Sequence, residues 1–329
     1  MGALALGRNP DSDQNHLFDS QERKSRYLFS AYIPSCFIIC PLPVQLTDMH
    51  IKEYVREYNN FKLRLVGAKG IPGGKVARDM LALFTTEVVC GKNRNNDDNV
   101  TIHYKSLSRF AKSMGIETSS YNGKIINILE QFSGCSVYFE FEKKKKYDEQ
   151  VLPFGEFGFN RGEKVYLNYK KFQNVNFIEK MESIELIKEG QKNGESIEIN
   201  IKLKSEFVKM VKENSVPIDF SVYREIQSSM EKDIYAWLVY RNNALIPREG
   251  VFVPRRSLLE QFGDENDVNE RMKYLRIIDI LRNMKNKYYN GLRLDIIEKG
   301  CSKKKGVVLY QSPLIMNSND VRYIPLISV

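Results

Sequence analysis

Apolar side chains recur at helical spacing in two series of segments, and each series closes on a pair of strand-like stretches. In the first, Val76, Met80, Leu83, Phe84 and Val88 share one face of a helix predicted over Lys75–Val89, just after the loop GAKGIPGG, Gly67–Gly74. Asn93–Asn99 is a turn-rich loop. A short helix follows over Ser106–Ser113 with Leu107, Phe110 and Ala111 inward, then a turn at Gly115. A longer helix over Ser119–Phe132 aligns Ile125, Ile128, Leu129 and Phe132. The stretches Cys135–Phe141 and Glu163–Tyr169 bracket a Lys-rich, Gly-containing hairpin.

The second series opens on an alternating strand, Ser196–Leu203. Next come a helix over Ser229–Arg241 whose pattern makes Trp237 a core residue, and a short helix over Arg255–Gln261 stopped by Phe262-Gly263. A long helix is predicted over Asp267–Lys285, followed by strands Gly291–Ile297 and Gly306–Tyr310 with Lys303, Lys304 and Lys305 at their tip.

Helices whose last two members are joined by a turn, followed by a hairpin, are the layout of a winged helix, a helix-turn-helix variant. The chain runs through it twice, a repeat of layout rather than of sequence. The expected fold class is therefore α+β: two tandem winged-helix domains over 67–180 and 181–329, behind a partly flexible N-terminal lead-in, 1–66. Within that lead-in residues 1–30 are polar and expected to be mobile, and the Pro-containing remainder shows no assignable element. A length of 329 residues suits two domains. A composition of 42% apolar and 28% charged residues excludes disorder over most of the chain.

The most apolar run, Tyr32–Val44, is interrupted by Pro34, Pro41 and Pro43 and falls well short of the roughly 20 residues a spanning helix needs. No basic, signal-like start precedes Asp11, Asp13 and Asp19, and Leu6 stands where a myristoylation site needs Ser or Thr. A cytoplasmic protein without a membrane partner is expected.

Charge adds a partner class. Lys and Arg number 50 against 41 Asp and Glu, a net +9, which favours a polyanion. From Arg271 to Tyr310 there are 11 basic residues against Asp279, Asp295 and Glu298, so this stretch carries +8; Glu182–Glu198, with five Glu against Lys188 and Lys192, carries −3. Lys143–Lys146 is offset by Glu140, Glu142, Asp148 and Glu149 and reads as a solvated hairpin.

Catalytic signatures are missing. The Gly74-Lys75 pair has Lys69 where a phosphate loop needs its first Gly, and Val76 where it needs Ser or Thr. His16, His50 and His103 are isolated, and Cys36-x3-Cys40 has no second pair for zinc. Five scattered cysteines read as reduced thiols rather than a disulfide framework. The expectation is no enzyme, no metal and no cofactor.

Six blocks carry a family resemblance: IPGGKVARDMLALFTTEVV (Ile71–Val89), SSYNGKIINILEQF (Ser119–Phe132), SVPIDF (Ser215–Phe220), KDIYAWLVYR (Lys232–Arg241), LLEQFG (Leu258–Gly263) and LYQSP (Leu309–Pro313). In this order, over roughly residues 65–315, the chain resembles plasmid-encoded RepA-type replication initiators. The resemblance implies two winged helices that bind tandem repeats (iterons) in double-stranded origin DNA. It also implies melting of the origin, recruitment of the host initiator and replicative helicase, and homodimers that repress their own gene. The chain departs from the family in its Lys-, Asn- and Ile-rich composition and its long lead-in.

On that layout the helix faces opposite the core would meet base edges. In the first module these are Ser120, Lys124, Asn127 and Gln131. In the second they are Asn269, Arg276 and Arg282 with Lys273 at the edge, and Lys303, Lys304 and Lys305 would grip phosphate or a minor groove. A transcriptional repressor using the same helices is the alternative, and a module docking on an acidic protein is a further one.

Overall fold

Pro34 ends the first strand, β1 (Ser30–Pro34), and caps a short helix, α1 (Ser35–Ile39), in which every residue is buried. The computed structural model describes residues 30–45, 50–58, 61–90, 98–116, 122–146, 166–186, 195–243, 245, 248–263, 269–289, 291–298 and 305–313. The expected mobility of residues 1–30 falls outside these, apart from Ser30. The stretch 31–66 shows no assignable element in the sequence, yet its described residues are built into the fold. They supply β1, α1, β2 (Glu53–Tyr58) and most of β3 (Phe61–Gly67).

The longest helix, α2 (Gly74–Cys90), buries Val76, Met80 and Phe84 on one side and Arg78, Asp79 and Ala82 on others. A helix buried all round sits between layers rather than on a surface. Strand β4 (Thr101–Tyr104) leads to α3 (Leu107–Ser113), which Ser106 caps by accepting from the Arg109 amide. Gly115 turns the chain towards α4 (Asn122–Ser133). Its φ of 76° is left-handed, a conformation that favours Gly.

Strand β5 (Cys135–Lys146) pairs antiparallel with β6 (Tyr166–Asn176) from Ser136↔Asn176 to Lys146↔Tyr166. The hairpin is longer than the sequence pattern indicates, and it extends a sheet of order β2-β3-β5-β6. Strands β7 (Ile178–Leu186) and β8 (Glu195–Leu203) form a second antiparallel sheet with β4, and α5 (Ser205–Glu213) follows. Phe177 anchors this half, stacking on Phe37 at 5.8 Å and meeting Phe132 and Phe207 at 4.9 and 5.3 Å. The first core therefore runs on through Val211. The expected domain boundary between residues 180 and 181 cuts β7, and β8 belongs with the first half because β4 is its partner.

Strand β9 (Ser215–Asp219) returns to pair with β1. After it come α6 (Phe220–Glu225), α7 (Ser229–Asn242), β10 (Val251–Pro254), α8 (Arg255–Phe262) and α9 (Glu270–Asn283), which a π turn at Met284–Tyr288 continues. Strands β11 (Arg293–Ile297) and β12 (Gly306–Tyr310) close a sheet of order β10-β12-β11. At Gly306 a Cβ would sit 2.3 Å from the Val253 carbonyl oxygen, so the close approach of β12 to β10 requires glycine. The second core gathers Trp237, Ile277, Ile278 and Leu281, together with Ala31, Ile33 and Ile38 from the lead-in. Trp237, 1% exposed, meets Phe262 edge-on at 5.4 Å, as its core assignment requires.

The halves meet where α2 crosses α7. Arg78 pairs with Asp233 through Nε–Oδ1 at 2.7 Å and Nη2–Oδ2 at 2.6 Å, and donates to the carbonyls of Leu42, Pro43 and Gly74. Its five N–H groups are thereby used, the condition under which a buried guanidinium is tolerable. Lys232 Nζ lies 2.7 Å from Asp79 Oδ1 and also donates to the Tyr223 carbonyl. Burial pushes Asp79 and Asp233 above the usual carboxylate range and lowers Lys232 to about 8. Arg56 adds a second bridge, donating to the carbonyls of Gln261 and Gly263 at the end of α8.

Candidate nucleic-acid interface

Helix α9 is held by Tyr274, Ile277, Ile278, Ile280 and Leu281, all buried. Its outward face carries Met272, Leu275, Arg276 and Asp279, and Arg271 is exposed at its start. The spacing of three and four residues places Met272, Leu275, Arg276 and Asp279 along one stripe. Met272 is 58% exposed and Leu275 39%. Arg276 lies on this face, as the sequence indicates, and Lys273 is half-buried at its edge.

Two expected reading residues are committed elsewhere. Asn269 is the N-cap: its Oδ1 accepts from the amides of Arg271 and Met272 at 3.0 and 3.3 Å, because a helix start leaves those donors without partners. Arg282 donates to Asp279 at 3.0 Å and pairs with Glu298 across the hairpin base. Its charge is offset by two carboxylates, and its side chain links α9 to the β11–β12 hairpin. Arg271, Lys273 and Arg276 form no ion pair among the described residues.

The N-terminus of α8 abuts the hairpin. The Arg255 amide donates to the Lys305 carbonyl at 2.8 Å, and the Arg255 guanidinium lies 5.3 Å from the Tyr274 ring. Lys305 is half-buried there; Lys303 and Lys304 lie outside the described residues.

The buried face of helix α4 is broader than expected. Ile125, Ile128, Leu129 and Phe132 are inward as predicted, but Gln131 is 0% exposed. Packing against α2, α3 and β7 covers more than the narrow stripe these four define. Gln131 is therefore corrected from a reading residue to an interior one, since a buried amide cannot reach a base edge. Lys124 is exposed and Asn127 half-buried, and the open face centres on Gly123, Ile126, Glu130 and Ser133. Glu130 faces Lys69 at 3.8 Å. Ser120 lies outside the described residues.

The residues that the core pattern leaves unassigned are Met272, Leu275 and Ile126, the last 40% exposed. The signal was present: in α9 the stripe Tyr274–Ile277–Ile278–Leu281–Met284 accounts for the core, and Met272 and Leu275 fall outside it.

Among the described residues no group of three or more His, Cys, Asp or Glu could hold a metal ion. Cys36, Cys40, Cys90 and Cys135 are free, and burial raises Cys40 and Cys135 to about 12, which leaves those thiols unreactive. Among the described residues no helix is long and apolar enough to cross a membrane.

The class these features define is a basic, mixed α/β protein with antiparallel sheets. It displays one cationic helix beside a hairpin and a second outward helix on its other half. Residues 168–251 match the family model described as "Plasmid encoded RepA protein". The resemblance to RepA-type initiators holds on that segment, which runs from β6 to the start of β10 and includes the β9 and α7 elements that join the halves. No curated protein matches the chain. Two crystal structures of domains 2 and 3 of RctB, one of them a selenomethionine derivative, align over 83% of this chain and 94% of theirs. They do so at 10% identity with TM-scores of 0.49 and 0.44.

Proposed function

We propose that this protein is a plasmid replication initiator that binds repeated origin sequences, promotes origin opening and recruits the host initiator and helicase. The single observation that carries the reading is the RepA match over residues 168–251. The geometry supports it. Each half contains the order helix, strand, helix, helix, strand, strand of a winged helix, with α4 and α9 as the reading helices.

In this reading Arg276, Arg271 and Lys273 contact phosphate or guanine, Lys303 to Lys305 hold phosphate from the hairpin tip, and Lys124 and Asn127 serve the first head. Ser120 remains a candidate in the first head. Asn269 and Arg282 act by shaping α9. The protein works in the cytoplasm without catalysis or a cofactor, and strain from several bound copies lowers the cost of melting nearby AT-rich DNA.

Fluorescence anisotropy at about 0.15 M salt, where exposed charges beyond about 8 Å are largely screened, tests it on tandem repeats from beside the gene and on a shuffled copy. The expected preference is about 10³-fold or more, growing with repeat number. Equal, salt-sensitive affinity for both duplexes would overturn it.

A further inference from the structure

Among the described residues only α4 and α9, of nine helices, expose a large apolar side chain: Ile126 on the first, Met272 and Leu275 on the second. The other exposed large apolar side chains, Ile51, Tyr138, Val251 and Phe252, lie on or beside strands, so among the helices this exposure belongs to the two outward faces. On α9 the apolar pair is embedded in charge. Arg271 precedes Met272, Lys273 follows it, and Arg276 lies one turn beyond it, with no carboxylate partner for any of the three among the described residues. On α4, Ile126 neighbours Asn127, and a Cβ added at Gly123 would meet nothing within 4 Å, so the face is open.

Two side chains on one helix are far too little apolar area for a protein interface, which needs about 800 Å² per partner. Unpaired cations beside them call for an anion close to a small apolar target. Duplex DNA offers that combination. Phosphates flank the major groove, and the only apolar group on its floor is the thymine 5-methyl. We infer that Met272 and Leu275, seconded by Ile126, read thymine methyl groups, making A·T pairs the specificity determinant of both heads. The inference rests on the DNA-binding reading above. Asn127 fits it, because an amide pairs bidentately with the adenine of a neighbouring A·T pair.

The test uses the full chain. A duplex enriched by the protein from a random-sequence pool is resynthesised with deoxyuridine for every thymidine, which deletes the methyl groups and leaves every hydrogen-bonding edge and phosphate. Burial of one methyl is worth about fourfold in affinity, so anisotropy should show a loss of about tenfold or more. The double variant Met272→Ala/Leu275→Ala should keep its melting temperature and lose most of the difference between the two duplexes; adding Ile126→Ala should remove the rest.

Equal affinity of the unaltered chain for both duplexes overturns the inference and leaves DNA binding standing. A methyl preference that survives the triple variant overturns the assignment to these residues. If the double variant binds both duplexes like the parent but sediments as a smaller species, the patch is a contact between copies and the inference falls. A pool that enriches no sequence removes the DNA reading itself.

Discussion

The two halves share one order of elements and solve the sheet differently. In the second, β10, β11 and β12 pair among themselves, so the strand before α8 and the two after α9 close a single three-stranded sheet. In the first, the equivalent strand β4 pairs with β8, while β5 and β6 join β3 and β2 from the lead-in. Local pattern thus sets the order of elements, whereas partner choice depends on which strands the rest of the chain supplies. The second half is self-contained at its sheet and depends on the lead-in for its core; the first borrows strands from both sides.

The largest expected effect breaks the joint between them. Asp79→Ala leaves Lys232 buried and unpaired, which should cost about 3–5 kcal/mol. Asp79→Leu with Lys232→Met should recover most of it, as urea denaturation would show. A double variant as unstable as the single would mean the pair is not the source of the loss.

Core truncations sharpen the comparison. Ile128→Ala in the first half and Ile277→Ala in the second, both at least 99% buried, should each cost about 2–5 kcal/mol. Because α1 and α2 serve both cores, either variant should still unfold in one transition. Trp237 fluorescence follows the second half and far-UV circular dichroism the whole. Separated midpoints would show that the halves are independent.

Removing Arg56, which ties β2 to the end of α8, should cost about 1.5–3 kcal/mol as a charge-assisted bond is lost. Asn269→Ala should cost about 1 kcal/mol through the lost cap. Arg282→Ala, with a half-exposed side chain at 46%, should cost less than about 1 kcal/mol and change the melting temperature little.

Much of this was legible. The long periodic segments predict α2, α4, α7 and α9, because each of these helices runs for more than three turns. The alternation of Leu63, Leu65 and Gly67 in β3 was equally readable, and so was the amphipathic stripe Phe207–Val208–Met210–Val211 of α5. Each lies in an element of nine residues or fewer, which gives its period little room to show. Four-residue β4 and β10 are too short for any period to emerge, and β1 is defined only by its distant partner.

The reading faces were half legible. The inward set of each helix followed from periodicity, but which polar residues remain open depends on neighbours from other elements. Gln131 lost its exposure that way, and Arg282 acquired its carboxylates from Asp279 on its own helix and Glu298 beside the hairpin. The joining network of Arg78, Asp79, Lys232 and Asp233 was invisible, since two adjacent charged pairs 153 and 155 residues apart look like ordinary surface.

The pairing of β1 with β9, Ser30↔Asp219 at its first register pair, carries a consequence for synthesis. At about 5–20 residues per second a ribosome needs roughly 10–40 s to reach β9 after finishing β1. Throughout that interval Ile33 and Ile38 have α1 and α2 beside them but lack most of the core they enter, which is made chiefly of residues from Val216 onward. The nascent chain must therefore wait, with an apolar segment in hand, for its own second half to be translated.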